Sequence, residues 1–215
     1  ILQGVTVSVQ RGMITALVGR NGVGKSTLLK SIMGLARVRR GRITVDGLEI
    51  TGFLPHRAAR CGCSFVPDDR GIFPGLTVAE HLRLGPVAQG RRVDLTEIYA
   101  QFPALRERER QRADSLSGGE RSIMAIARAL LMKPKVLLID EMTEGIQPNI
   151  VQELGRVIRR IADSGVAVLL VDQDARYALR LADYGCVMEK GRLVLQATAS
   201  ELLADESVLH AHLII

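Results

Sequence analysis

Gly19-Arg20-Asn21-Gly22-Val23-Gly24-Lys25-Ser26 fits the pattern G-x-x-x-x-G-K-[ST], and the apolar run Ile14 to Val18 before it reads as the strand such a loop leaves. The three glycines let the backbone curl until successive N–H groups converge on one point, and a helix starting near Lys25 adds its positive dipole end there. That concavity suits a phosphate. Lys25 supplies a point charge to the outer phosphates, the Ser26 hydroxyl suits Mg²⁺, and Thr27 adds a further phosphate contact. The competing reading is a glycine-rich turn without a ligand. Strand, loop, lysine, hydroxyl and the amphipathic segment Ser26 to Met33 follow in order, which weighs against it.

Upstream, Ile1 to Val9 alternates apolar and polar residues as a strand does, and no Met precedes it, so the natural N-terminus is expected to lie further back. Downstream, Gly41 to Val45 and Leu48 to Ile50 flank Asp46-Gly47, a strong hairpin signal that predicts an antiparallel flap. Pro55 opens a short helix, and Cys63 to Val66 returns to the sheet before Pro67-Asp68-Asp69-Arg70. From Thr77 to about Asp114 the texture is helical: Thr77 with Glu80, and Asp94 with Glu97, have the spacing of N-terminal caps. An α/β rhythm then resumes. A helix runs to about Met132, followed by the strand Val136 to Ile139, a helix over about Pro148 to Ala162, and the strand Ala167 to Val171. A helix from Asp174, a Lys190-Gly191 hairpin and a helical tail from about Thr198 complete the chain.

Two further stretches carry chemistry. Val136 to Ile139 is a continuous apolar strand, as buried parallel strands are, and its C-terminal end carries Asp140-Glu141 into the ligand crevice. Asp140 there lies beside the Mg²⁺, and Glu141 can orient or deprotonate an attacking water; an exposed acidic pair beginning a turn is the alternative. Leu116-Ser117-Gly118-Gly119-Glu120 places a hydroxyl and two glycines at a helix start, a second anion site or an ordinary helix cap. Two such sites make sense together if the second covers the nucleotide of a neighbouring subunit, making the working unit a two-chain sandwich.

The 215 residues and 47% apolar content provide for one sheet and its covering helices. No apolar run approaches bilayer length and no signal-peptide pattern stands at the front. Cys61, Cys63 and Cys186 form neither a disulfide framework nor a zinc site and read as reduced cytosolic thiols. The net charge of +6 is compatible with nucleic acid, anionic lipid or a basic nucleotide enzyme, but the Arg106 to Arg110 block compensates itself and aromatics are only 3%, so nucleic acid is disfavoured.

In this order the motifs resemble the ATPase domain of ABC transporters along essentially the whole chain. The resemblance implies an α/β P-loop NTPase with a mostly parallel core sheet, an antiparallel flap, and a helical subdomain at about 77–114 within a single 1–215 cassette. It implies ATP and Mg²⁺ as cofactors, with ATP held by Gly19 to Thr27 and Mg²⁺ by Ser26 and Asp140. Glu141 becomes the catalytic carboxylate, Gln173 stands at the switch position, and Leu116 to Glu120 acts on a partner's nucleotide. Asp68 lies in the loop that touches a membrane permease, and Glu144 to Gln147 in the loop across a dimer. The expected partners are permease subunits, a second ABC ATPase or a second copy, and indirectly an external solute-binding protein, with the chain peripheral on the inner face of the membrane. Three residues depart from the common pattern: Asp68 for Gln, Met142 for Pro and Gln173 for His. Val66-Pro67, Arg70 to Pro74, Leu76 to Val78 and Val171-Asp172-Gln173 resemble the second ATPase of branched-chain amino-acid and urea importers, and Thr143 to Pro148 the urea version. The adenine-stacking aromatic of that family precedes the first strand and is expected to be missing. The alternatives are a soluble ABC ATPase of nucleic-acid maintenance or translation, and a nucleotide-gated regulatory subunit with little turnover.

Overall fold

Period-two alternation along the central strands sends apolar side chains to both faces of one sheet. The computed structural model describes residues 1–205. Its main sheet has the order β4 (Cys63–Val66), β5 (Val136–Asp140), β6 (Ala167–Val171), β1 (Ile14–Val18), β7 (Tyr184–Glu189) and β8 (Arg192–Thr198). The first five are mutually parallel, and only the β7–β8 hairpin is antiparallel. Leu137, Ile139, Val168 and Leu170 face one core, and Leu17, Leu138, Leu169 and Val171 the other. Strands buried on both sides need no polar face, which is why they read as unbroken apolar runs.

Helices cover both faces. On one side α1 (Lys25–Ile32) buries Leu28 and Leu29. The other receives α6 (Gly118–Leu130), α7 (Pro148–Asp163) and α8 (Ala175–Leu181). The predicted flap forms as β2 (Thr44–Val45) and β3 (Leu48–Glu49) around Asp46-Gly47, both at positive φ as a tight hairpin turn requires. After it comes α2 (Pro55–Arg60).

Between β4 and α6 lie α3 (Val78–Ala88), α4 (Thr96–Gln101), α5 (Pro103–Glu107) and a 3₁₀ turn at Ala113–Ser115. The ends of this segment meet: Val78 N–H donates to Gln111 O (3.0 Å) and Ala113 N–H to Leu76 O (2.9 Å). Thr77 and Glu80 form the expected reciprocal cap on α3. At α4 the expectation fails. Asp94 Oδ1 accepts from the N–H and the hydroxyl of Thr96 two residues on (2.9 and 2.7 Å), closing a local turn one residue ahead of the helix, and buried Leu95 takes the capping position. The helix α9 (Ala199–Ala204) begins where the helical tail is expected, capped by Thr198, and anything beyond residue 205 lies outside the described residues.

The opening segment also differs from its reading. Leu2, Val5, Val7 and Val9 pack against the second core, so the alternation is real. No strand forms over residues 1–9; Gln3 N–H donates to Gly191 O (2.8 Å) in the β7–β8 turn, and Arg192 donates to Gln3 Oε1 (3.1 and 3.0 Å), but no ladder follows. Alternation records a half-buried segment, whereas a strand also needs a neighbour to pair with.

Leu138 is fully buried at the centre of the sheet and Val194 is 41% exposed on the terminal strand. Leu138→Ala is expected to cost about 2–5 kcal/mol in urea unfolding, and Val194→Ala under about 0.5 kcal/mol. Equal costs would place the core elsewhere.

Candidate active site

Because β4, β5, β6 and β1 run parallel, the loops that leave their C-terminal ends (residues 67–73, 141–147, 172–174 and 19–24) gather along one sheet edge. The 19–24 loop passes so close to β7 that a Cβ on Gly19 would stand 2.3 Å from Met188 O, which only glycine avoids. Gly24 caps α1 at φ 112° without a side-chain acceptor, so the first N–H groups of the helix are left for a ligand.

Lys25 is only 4% exposed and turns back over the loop, its Nζ donating to Gly19 O (2.7 Å) and Arg20 O (3.1 Å). Glu141 Oε1 lies 3.6 Å from the same ammonium. From 114 residues away in sequence, Asp140 Oδ1 accepts from the Ser26 hydroxyl (3.1 Å). Asp140 is 1% exposed, and its Oδ2 is buried without a partner among the described residues. Burial holds this carboxyl above the usual range, and the charges of Glu141 and Asp68 push the same way against the Ser26 hydrogen bond. A buried acceptor left unsatisfied costs roughly 1–3 kcal/mol. A hard cation would relieve that cost, so a hydroxyl and a carboxylate with a spare oxygen fit Mg²⁺.

The expected catalytic pair meets in space. Gln173 Nε2 donates to Glu141 Oε2 (2.7 Å) and Asn21 Nδ2 donates to Gln173 Oε1 (3.2 Å), joining the loops after β5, β6 and β1. Glu141 holds φ 43°, a left-handed conformation costly for a side chain of this type, while its N–H donates to Val171 O (2.8 Å). Thr27 sits half-buried in the first turn of α1. Asp68 is exposed just past β4.

Leu116 to Glu120 lies apart. No hydrogen bond or ion pair among the described residues joins it to residues 19–27; Ser117 and Glu120 cap α6 reciprocally, and Glu120 pairs with Arg108 (2.8 Å). Gly119 has a packing reason of its own, since a Cβ there would stand 2.4 Å from Ile150 Cγ2.

Two features escape the sequence reading. Thr143 Oγ1 lies 2.9 and 2.7 Å from the two oxygens of Asp172, whose carboxyl burial pushes up. Asp172 ends an apolar strand as Asp140 does, and the same signal would have found it. Arg70, read as one residue of a loop, reaches Ser122 on α6 and the Glu144 carbonyl, contacts 52 and 74 residues away that no local pattern reports. Glu141, Thr143, Asp172, Gln173 and Tyr177 line a cleft of about 750 Å³.

The family model described as "ABC transporter" matches residues 2–144. The chain is 40% identical over 215 residues to the high-affinity branched-chain amino acid transport ATP-binding protein BraG of Pseudomonas aeruginosa, covering 99% of this chain and 92% of that one. It is 38% identical to the probable branched-chain amino acid transport ATP-binding protein LivF of Archaeoglobus fulgidus, covering 96% and 89%. The solved ADP conformation of an ATP-binding cassette superposes with a TM-score of 0.86 at 25% identity, covering 97% of this chain and 91% of that one. Phosphate loop, paired acidic strand end and near-full-length identity agree: the chain belongs to the ABC transporter family, as an ATP-binding, ATP-hydrolysing subunit.

Proposed function

We propose that this chain binds Mg²⁺-ATP at residues 19–27 and hydrolyses it to drive solute import through a separate membrane-spanning permease. The observation that carries the reading is the convergence of Lys25, Ser26, Asp140 and Glu141 on one sheet edge. Backbone N–H groups of Gly19 to Thr27 hold the phosphates, and Lys25 exchanges its loop carbonyls for phosphate oxygens. Ser26 and Asp140 hold Mg²⁺, which when bound offsets phosphate charge. Glu141 takes the proton of the attacking water, and Gln173 fixes the carboxylate that does so. Leu116 to Glu120 covers the nucleotide of a partner chain, and Asp68 lies in the loop facing the permease.

Branched-chain amino acids are the favoured solute class, because the relatives named for their transport share 40% and 38% identity, against 32% for the lipopolysaccharide export protein LptB of Escherichia coli. Those names also favour transport over nucleic-acid maintenance. Relatives named as ATP-binding proteins of transport systems support a peripheral place at the inner face, beside permeases fed by an external binding protein; among the described residues no helix is long and apolar enough to cross a membrane. Residues 77–114 form a helical subdomain within a single cassette.

Lys25→Ala is expected to weaken nucleotide binding at least tenfold, read by titrating Mg²⁺-ATP against both proteins; equal affinities would reduce the loop to a turn. Glu141→Gln should retain ATP while phosphate release by the assembled transporter falls about 10²- to 10⁴-fold, the range for a lost general base. A change of only a few-fold would assign the base to another residue. The amide of Gln173 stays neutral and cannot relay a proton as histidine can, so a head-to-tail pair with a paralogue bearing histidine has two unequal sites. Phosphate release should therefore rise when the chain is joined by such a partner or carries Gln173→His. Full turnover by the parent alone, insensitive to both, would refute the unequal pair.

A further inference from the structure

Residues 67–73 are fastened by two guanidinium groups, one reaching into the loop from α6 and one reaching out of the loop. Arg128 of α6, mostly buried, donates from Nη1 to Gly71 O (2.6 Å) and from Nη2 to Arg70 O (2.9 Å), with Nη1 also 3.3 Å from Nδ1 of the fully buried His81. Arg70 belongs to the loop itself. Its Nε donates to Ser122 Oγ (2.9 Å) and its Nη2 to Glu144 O (3.1 Å). Ser122 is sealed from solvent and donates its own hydrogen to Gly118 O (3.2 Å), so its hydroxyl has a donor and an acceptor partner. Arg70 is held at φ 62°, a costly conformation for arginine that the four contacts maintain.

The Glu144 carbonyl lies three residues past Glu141, in a turn closed by Ile146 N–H to Thr143 O (3.2 Å). That turn is fixed on its far side by Thr143 to Asp172, and Glu141 by Gln173. The loop after β4 is thus joined by hydrogen bonds to the segment carrying the carboxylate, and Arg70 is the side chain that makes the join. We propose that Arg70 is a positioning residue: it transmits the placement of residues 67–73 to residues 141–147 and so sets the aim of Glu141. The proposal rests on the reading of Glu141 as the hydrolytic carboxylate. It gives this chain a route from its permease-facing loop to the site that does not require Asp68 to touch the nucleotide. An arginine suits the task because its planar fork holds two acceptors at once, whereas lysine offers a single point charge.

The test compares the full chain with Arg70→Ala and Arg70→Lys. In Arg70→Ala, amide hydrogen exchange over residues 141–147 should quicken about tenfold or more, while residues 14–27 stay unchanged and Mg²⁺-ATP affinity remains within twofold. Turnover of the assembled transporter should fall about tenfold at saturating ATP, with Arg70→Lys intermediate. In a Glu141→Gln background the same change should lower the residual rate less than twofold, because no carboxylate is left to aim. Unchanged exchange at 141–147, equal quickening throughout the core, full restoration by lysine, or an equal fall in the Glu141→Gln background would each overturn the proposal. If Arg70→Ala does not fold, Ser122→Ala removes one anchor and should quicken the same segment by a smaller factor; no change there also overturns it. Lys25→Ala separates the two readings: unaltered nucleotide binding in that variant defeats the ATPase assignment itself, whereas lost binding together with an inert Arg70→Ala defeats only the positioning role.

Discussion

The hydrogen bond from Ser26 to Asp140 is the contact on which the site depends, since it joins residues 114 positions apart. It exists because β6 pairs with both β1 and β5, placing the ends of all three strands on one edge. Local sequence cannot bring these residues together; the parallel crossovers do. Each crossover needs a covering helix, and each helix needs an apolar sheet face, so the two-sided core is the condition for the site to exist.

The same arrangement places charge where a protein alone would not favour it. Among the described residues Asp140 is buried with one oxygen unpartnered, Lys25 is buried against carbonyls, and Glu141 holds a left-handed backbone. These features meet at one edge of the sheet, while the strands that bring them there are apolar and regular. Local rules broken together at one edge of a consistent fold are where function is expected.

Much of this was legible in the sequence, for identifiable reasons. The phosphate loop and the Asp140-Glu141 strand end are local patterns with fixed spacing, and the two Asx-Gly or Lys-Gly hairpins are two-residue signals, so each is found by position. The opening segment and Asp94 differ from their sequence reading because a strand needs a pairing partner that local alternation does not report, and because Asp94 accepts from Thr96 in a local turn that competes with the cap. Arg70 and the Thr143–Asp172 contact were hidden for a stronger version of the same reason. Arginine in a loop is usually solvated, and nothing within the loop itself signals acceptors on α6 and beyond β5.

Ser117 invites a choice between helix cap and anion contact, and the geometry makes the choice unnecessary. Its oxygen accepts from Glu120 N–H (3.3 Å), and the Glu120 carboxylate in turn accepts from Ser117 N–H (2.9 Å), so the cap uses one lone pair and leaves the hydroxyl hydrogen to aim outward. The N–H groups of Gly118 and Gly119 carry no side-chain cap bond either, and they stand at the positive end of a 13-residue helix. Glu120 puts a negative charge in that first turn, but Arg108 at 2.8 Å offsets it. In the two-chain arrangement proposed above, a partner's terminal phosphate approaching this end would meet three donors in a setting whose charge is already balanced. Gly119, buried where a Cβ would strike Ile150, is explained by the packing of residue 150 against α6 and not by that approach.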